Sequence, residues 1–259
     1  FDVKEEGNAS IRVVVPPFRV DIISTIDLVE DVAIALGYES ERLSPSRYLV
    51  DAGGRLLAAS KLKRASRELM VGLGFTEVMS YLLAPSWASE LVDDDSRVIK
   101  VKNPVASDMD SVRPSVLASL LLALKDNMKS PKPIKVFEIG KVAAKEGGAP
   151  VEDERLGAVI MDDSVGYEDI QAVAYAYIRA LGATPSARPA TAKHLIEGRS
   201  ASLLANGAEI GYLGELSPGV LIKLGIDYPA AAFEVSLRRL LEVLAGGAPG
   251  HDARVPDTD

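Results

Sequence analysis

Apolar positions along the chain recur in two spacings, and the places where one gives way to the other divide it into elements. IRVVV at 11 to 15 is a β-branched run that Pro16-Pro17 stops before a second extended stretch, FRVDII. In IDLVEDVAIALGY, Leu28, Val29, Val32, Ala33 and Leu36 keep helical spacing, and Gly37 tolerates a left-handed cap. Pro45 and Gly53-Gly54 give residues 44 to 58 the character of a linker. SKLKRASRELMVGLGF then sets Leu62, Ala65, Leu69, Met70 and Leu73 on one helical face that ends at Gly74. FTEVMSYLL and VIKV are predicted strands, and Ser115 opens a helix with Val116, Leu117, Leu120, Leu121 and Leu124 on one side. IKVFEIGKV and RLGAVI are further strands. EDIQAVAYAYIRALG is an amphipathic helix through Ile170, Val173, Tyr177, Ile178 and Leu181, closed by Gly182.

From residue 200 the pattern is SASLLA, the hairpin signal Asn206-Gly207, and EIGYLG. Ser217-Pro218 starts a short helix that Gly225 ends, AAFEVS is a last strand, and Ser236 caps a last helix, SLRRLLEVLAGG. Hairpins mixed with helices, without regular strand-helix alternation, predict an α+β fold with a largely antiparallel sheet. The expected organisation is a small αβ module over 1–43, a linker over 44–58, a larger domain over 59–245 and a disordered tail over 246–259.

Composition narrows the chemistry. The 259 residues are 47% hydrophobic and 25% charged, an ordinary globular balance. A net charge of -8 lacks the footprint of a free-standing nucleic-acid binder, so any RNA contact is local or shared with a partner. The absence of cysteine removes disulfides, thiolate metal sites and thiol nucleophiles, and two histidines, His194 and His251, do not make a His-rich zinc cluster. No run approaches the roughly 18 apolar residues that span a bilayer, and the start FDVKEEGNAS has no apolar leader region. A cytoplasmic address is expected. Phe1 opens inside a strand-like segment, so a fragment of a longer polypeptide is expected.

PPFRVDIISTIDLVEDVAIALGY resembles the B5 module of phenylalanyl-tRNA synthetase β subunits, where Pro-(aromatic)-Arg-x-Asp-Ile and Asp-Leu-hydrophobic-Glu-acidic stand at this spacing. GFTEVMSYLL, NPVASDMDSVRPSVLASLL, PIKVFEIGKV and GYLGELSPGVLIKLGI resemble, in the same order, landmarks of that subunit's synthetase-like domain. The resemblance covers about residues 11 to 243. It implies a class II aminoacyl-tRNA synthetase-like antiparallel sheet flanked by helices, preceded by a partial B5 module. The polar end soon after the last landmark resembles the archaeal or eukaryotic-like type, and no editing domain is present in this stretch.

The three class II motifs can each be set against their chemistry. Motif 1 is represented by Gly74, Phe75 and Val78, but Tyr81 stands where a proline belongs. Motif 2 needs an arginine to neutralise charge on the ATP α-phosphate, and here Ala144 takes that position while Glu146 remains. Motif 3 needs a glycine-rich strand and a second arginine; AAFEVSLRRLLE has no glycine, and Arg238 and Arg239 fall in a different pattern. No catalytic or cofactor-binding residue is therefore assigned. The resemblance implies ATP chemistry in the α subunit only, an α2β2 assembly, tRNA(Phe) bound through the complex, and no membrane.

Asp21, Asp27, Glu30 and Asp31 are the most suggestive carboxylates. If a helix starts at Asp27, the last three share one face of its first turn, with Asp21 reaching in from the preceding strand end. Such hard oxygen donors suit Mg²⁺. The alternative stays open: Asp27 as N-cap, Glu30 completing a capping box and Asp31 favouring the helix dipole. In the resembled family the matching positions are Mg²⁺ ligands in a site shared with the α subunit, which implies the same role here.

The basic helix over 61 to 67 is expected to be a solvated face, with its apolar stripe against the chain's own sheet or the α subunit. Arg113 is expected to be a structural ion-pair or capping residue, and His194 a surface or hydrogen-bonded residue. Two other functions stand beside the non-catalytic subunit. One is a free-standing synthetase-like paralogue that binds an amino acid or nucleotide as a regulator. The other is nucleic-acid binding by the N-terminal module, which its acidic balance disfavours.

Overall fold

A computed structural model describes residues 1–7, 10–39, 54 and 56–246. Asp2–Glu5 (β1) and Ile11–Val14 (β2) pair antiparallel in the first of two units, Phe1–Gly54. The stretch FRVDII is not a strand: after Pro16-Pro17 the chain turns, with the Arg19 amide on the Pro16 carbonyl at 3.0 Å. Helix α1, Thr25–Leu36, begins before Asp27, and its N-cap is Ser24 in extended conformation. Asp27 is the third helical residue, and its carboxylate reaches back to the amides of Ile23 and Ser24 at 2.8 and 2.7 Å. The expected capping box is thus real but lies three residues earlier than Asp27–Glu30. No residue of α1 is buried.

The second unit, Arg55–Asp259, opens on α2, Ala58–Gly72, which buries Leu62, Ser66 and Met70. The expected linker over 44–58 thus overlaps the helix at Ala58, and its residues 44–53 and 55 lie outside the described residues, as do 247–259 of the expected tail. FTEVMSYLL forms only Thr76–Glu77 (β3) and Leu83–Ala84 (β4). Between them the chain leaves the sheet edge after the Val78 amide meets the Phe137 carbonyl at 2.9 Å, and Met79 and Tyr81 are exposed.

Helix α3, Ser86–Val92, and the short strands Ile99–Lys100 (β5) and Ser111–Val112 (β6) follow, and β4, β6 and β5 make a small antiparallel sheet. Ser115 caps α4, Val116–Asp126, accepting from the Leu117 amide at 3.0 Å. Ile134–Glu146 (β7) and Ala149–Met161 (β8) form a long hairpin whose turn, Gly147-Gly148, takes positive φ at both residues. Then come α5, Tyr167–Ala180; β9, Pro185–Pro189; β10, Leu195–Ala205; β11, Ala208–Leu216; α6, Pro218–Leu224; β12, Ala230–Ser236; and α7, Leu237–Leu244.

The main sheet runs β3-β7-β8-β12-β11-β10-β9, and only β3–β7 is parallel. Its two faces carry separate cores. Leu62 and Met70 of α2, Ile170 and Tyr177 of α5, and Leu237 and Leu240 of α7 cover one face. Leu91 of α3, Leu117, Leu120 and Leu124 of α4, and Leu221 of α6 cover the other. Strands β11 and β12 approach so closely that a Cβ on Gly211 would lie 1.9 Å from the Glu234 carbonyl oxygen.

Candidate functional site

Strand alternation decides what faces the α3–α4–α6 side. Val142 of β7, Val159 and Met161 of β8, and Ala230 and Ala232 of β12 enter that core. Ala144, Asp153, Arg155, Glu234 and Ser236 continue the same parity toward the end of the sheet where α4 begins.

There, a buried carboxylate collects four donors. Glu234 is 1% exposed; its Oε1 accepts from Ser115 Oγ at 2.9 Å and the Val116 amide at 2.7 Å. Its Oε2 accepts from the Tyr212 hydroxyl at 2.7 Å and Arg155 Nη1 at 3.1 Å. The carboxylate thus serves the N-terminus of α4, where an anion is favoured. Arg155 Nε also donates to Asp153 at 3.2 Å, and Asp153 accepts from Ser236 Oγ at 3.1 Å. Burial works against the charge on Arg155, but Glu234, Tyr212 and Asp153 outweigh it and raise its pKa. Burial first, then the charge of Glu234, pushes the Tyr212 phenol well above its usual range.

Beside this network lies a cavity of about 370 Å³ lined by Asp153, Arg155, Tyr212, Glu234, Ser236 and Arg239. Of its donors, Arg155 and the start of α4 are taken by the chain's own carboxylates. A phosphate or carboxylate ligand would have to compete with Glu234 for them. The Arg239 guanidinium alone has no ion-pair partner among the described residues.

The motif positions show what the cleft lacks. Ala144 is 5% exposed in β7, where it presents a methyl group. Arg238 points to Glu242 at 3.7 Å and Asp153 at 3.9 Å. Arg113 is the expected structural ion pair: Nη1 lies 2.8 Å from Glu138 Oε1, with both side chains 3% exposed, and Nε donates to the Lys141 carbonyl at 3.0 Å. Gly140 makes room for it, since a Cβ there would sit 2.0 Å from Arg113 Nη2. His194 departs from expectation. It is buried, its ring stands edge-on to Tyr212 at 5.1 Å, and neither ring nitrogen makes a hydrogen bond of good geometry, the Val92 backbone being the one polar group near enough to act on the ring. Desolvation lowers its pKa. On α2, Lys63, Arg64 and Arg67 pair with Glu154, Glu68 and Glu77, a solvated ionic face.

The acidic cluster is organised around Arg19. Its Nη2 lies 2.7 Å from Asp21 and 2.9 Å from Asp31, and these two hydrogen bonds raise its pKa. Arg19 in turn holds the Asp21 carboxyl below its ordinary range, and the amides of Ser24 and Ile23 do the same for Asp27. Glu30 is exposed and makes no hydrogen bond or ion pair with the other three. Among the described residues no group of three or more His, Asp or Glu is placed to hold a metal. As arranged, Arg19 bridges Asp21 and Asp31 and Asp27 is spent on amides, so a Mg²⁺ ion here would have to displace Arg19.

Sequence reasoning overlooked Glu234, Arg155, Asp153 and Tyr212. The signal was present, because Glu234 is a charged residue inside the otherwise apolar run AAAFEV, and such a residue needs buried partners.

The sheet order and its helices define a class II aminoacyl-tRNA synthetase-like fold. A pyrrolysyl-tRNA synthetase from Desulfitobacterium hafniense superposes with a TM-score of 0.60 at 16% identity, over 78% of this chain and 74% of that one. A second structure from the same organism gives 0.59 at 17% identity, over 72% and 69%. The family model for the phenylalanyl tRNA synthetase beta chain CLM domain matches residues 49–237, and the tRNA synthetase B5 domain matches 1–38, so the chain belongs to the phenylalanyl-tRNA synthetase β-chain family. It is 41% identical over 235 residues to the phenylalanine–tRNA ligase β subunit of Aeropyrum pernix, covering 91% of this chain and 42% of the relative. It is 39% identical over 247 residues to that of Sulfurisphaera tokodaii (94% and 44%). It is 36% identical over 240 residues to that of Saccharolobus solfataricus (92% and 43%). The chain thus spans less than half the length of these relatives. Among the described residues no helix is long and apolar enough to cross a membrane.

Proposed function

We propose that this chain is a non-catalytic part of the β subunit of a phenylalanine–tRNA ligase, which supports an α subunit that performs ATP-dependent charging of tRNA(Phe) in an α2β2 cytoplasmic enzyme. The observation that carries the reading is the state of the cleft. The arginine position of motif 2 holds the buried methyl of Ala144, and Glu234 engages Arg155 and the start of α4. Amino-acid activation needs fixed positive groups where charge develops on phosphorus, and here the nearest fixed guanidinium is already neutralised. The exposed residues Met79 and Tyr81 are the places this reading gives to the α subunit, because the apolar stripe of α2 is already buried against the chain's own sheet. The Mg²⁺ expected at Asp21, Asp27, Glu30 and Asp31 enters the reading only as an ion that displaces Arg19 once α is present.

The test is phenylalanine-dependent ATP–pyrophosphate exchange with the chain alone, with α alone and with both. Exchange that needs α and is absent from this chain supports the reading; exchange by the chain alone ends it. The regulator reading keeps one observation in its favour, the 370 Å³ cavity with the unpaired Arg239 on its rim. Calorimetric titration with phenylalanine and with ATP decides that point, and saturable binding to the isolated chain would favour the regulator.

A further inference from the structure

We propose that the groove between α3 and α6 docks single-stranded RNA directly. The groove has a volume of about 580 Å³ and is lined by Trp87, Glu90 and Leu91 of α3, Val220 and Lys223 of α6, and Lys193. Trp87, the only tryptophan in the chain, is 45% exposed, and Lys125 Nζ lies 5.9 Å from its ring centroid. The acid in the groove, Glu90, is engaged by Lys100 at 2.9 Å. Lys193 donates only to the Asp93 carbonyl, at 3.2 Å, and the Asp93 carboxylate belongs to Arg97 at 3.0 Å. Lys125, Lys193 and Lys223 therefore have no carboxylate partner among the described residues.

Two unpaired ammonium groups in the groove, Lys193 and Lys223, with that of Lys125 beside the indole, call for an anionic occupant in a chain with a net charge of -8. The exposed indole calls for a flat apolar one. An unpaired nucleotide supplies both in one unit, a phosphate for the lysines and a base to stack on Trp87. An acidic peptide would answer the lysines and leave the indole face without a planar partner. Duplex RNA keeps its bases stacked inside the helix, where Trp87 does not reach them. The inference rests on the ligase reading only for why RNA is at hand. It adds a contact made by this chain itself.

Trp87 is its own reporter. The whole chain is titrated with a short oligoadenylate, and in parallel with polyglutamate and a blunt RNA duplex, following tryptophan fluorescence and the anisotropy of labelled RNA. Oligoadenylate is expected to quench the fluorescence saturably, with log affinity falling against log salt at a slope of about -2, as three lysine contacts to a single strand imply. Lys193→Glu with Lys223→Glu is expected to weaken binding at least about tenfold with unchanged circular dichroism, both residues being exposed. Trp87→Leu is expected to weaken the binding seen by anisotropy. No saturable binding, equal binding of polyglutamate or duplex, or unchanged affinity in the lysine variant would overturn the proposal. None of these measurements involves α or charging, so their failure and the failure of the exchange test are separate results.

Discussion

Glu234 and Arg155 meet at 3.1 Å on adjacent strands of the main sheet, and through them the start of α4, the Tyr212 hydroxyl and the Asp153 carboxylate become one polar network. Glu234→Ala would leave Arg155 short of a partner and Tyr212 with only the long contact to Ser115 Oγ at 3.4 Å, and is expected to destabilise the chain by about 3 kcal/mol. Urea unfolding at neutral pH measures it. Glu234→Gln keeps an acceptor for the α4 terminus and should cost less. A loss under about 1 kcal/mol in the alanine variant would mean the network is not a structural element.

Arg113 and Glu138 form a second buried pair, 2.8 Å apart. Arg113→Ala leaves a buried carboxylate uncompensated, at an expected cost of about 3 to 5 kcal/mol, whereas Arg113→Met with Glu138→Leu should recover most of that. Gly140→Ala should resemble the single variant, because its Cβ would fall on the guanidinium. Thermal melts of the four proteins give the comparison.

Much of this was legible in the sequence, and the parts that were not have physical causes. Helical spacing located α4, α5 and α7, and Asn206-Gly207 marked the turn between β10 and β11, since both signals are local. Ser24 was passed over as the cap of α1 because Asp27, three residues on, satisfies the same composition rule, and only the amides it reaches distinguish N-cap from third residue. FTEVMSYLL kept its β-rich composition yet left the sheet after Glu77, a tertiary decision at a sheet edge. Ala144 could be set against the motif 2 arginine directly. Glu234, Arg155 and Tyr212 could not be joined, because their partnership depends on the strand order β8-β12-β11, which no local pattern encodes.

His194 gives the chain an acid-side weakness. Desolvation, offset in part by Glu234, the Val92 backbone and Asp93, holds its pKa below the ordinary value of about 6.5, so the unfolded chain binds that proton more readily. Its effect on stability is absent well above that pH and grows as pH falls below it. His194→Phe keeps the ring against Tyr212 and removes two buried nitrogens that lack a well-formed hydrogen bond. It is expected to gain about 1 kcal/mol near neutral pH and to flatten the loss of stability between neutral and mildly acid pH. Unfolding curves across that range report both effects.

The acidic cluster predicts a negative result that one substitution reverses. With Arg19 bridging Asp21 and Asp31, millimolar Mg²⁺ should leave the melting temperature of the chain alone unchanged, and Asp21→Ala with Glu30→Ala should not alter that. Arg19→Ala should make the cluster responsive to divalent ions. Specific Mg²⁺ binding by the unaltered chain would contradict the arrangement.

The central claim is that the cleft of this chain activates no amino acid, and phenylalanine-dependent ATP–pyrophosphate exchange tests it most directly. The account predicts no exchange by this chain at any concentration, and exchange by the α-containing complex that persists when Glu234→Gln is introduced. Exchange catalysed by the chain without α would contradict it.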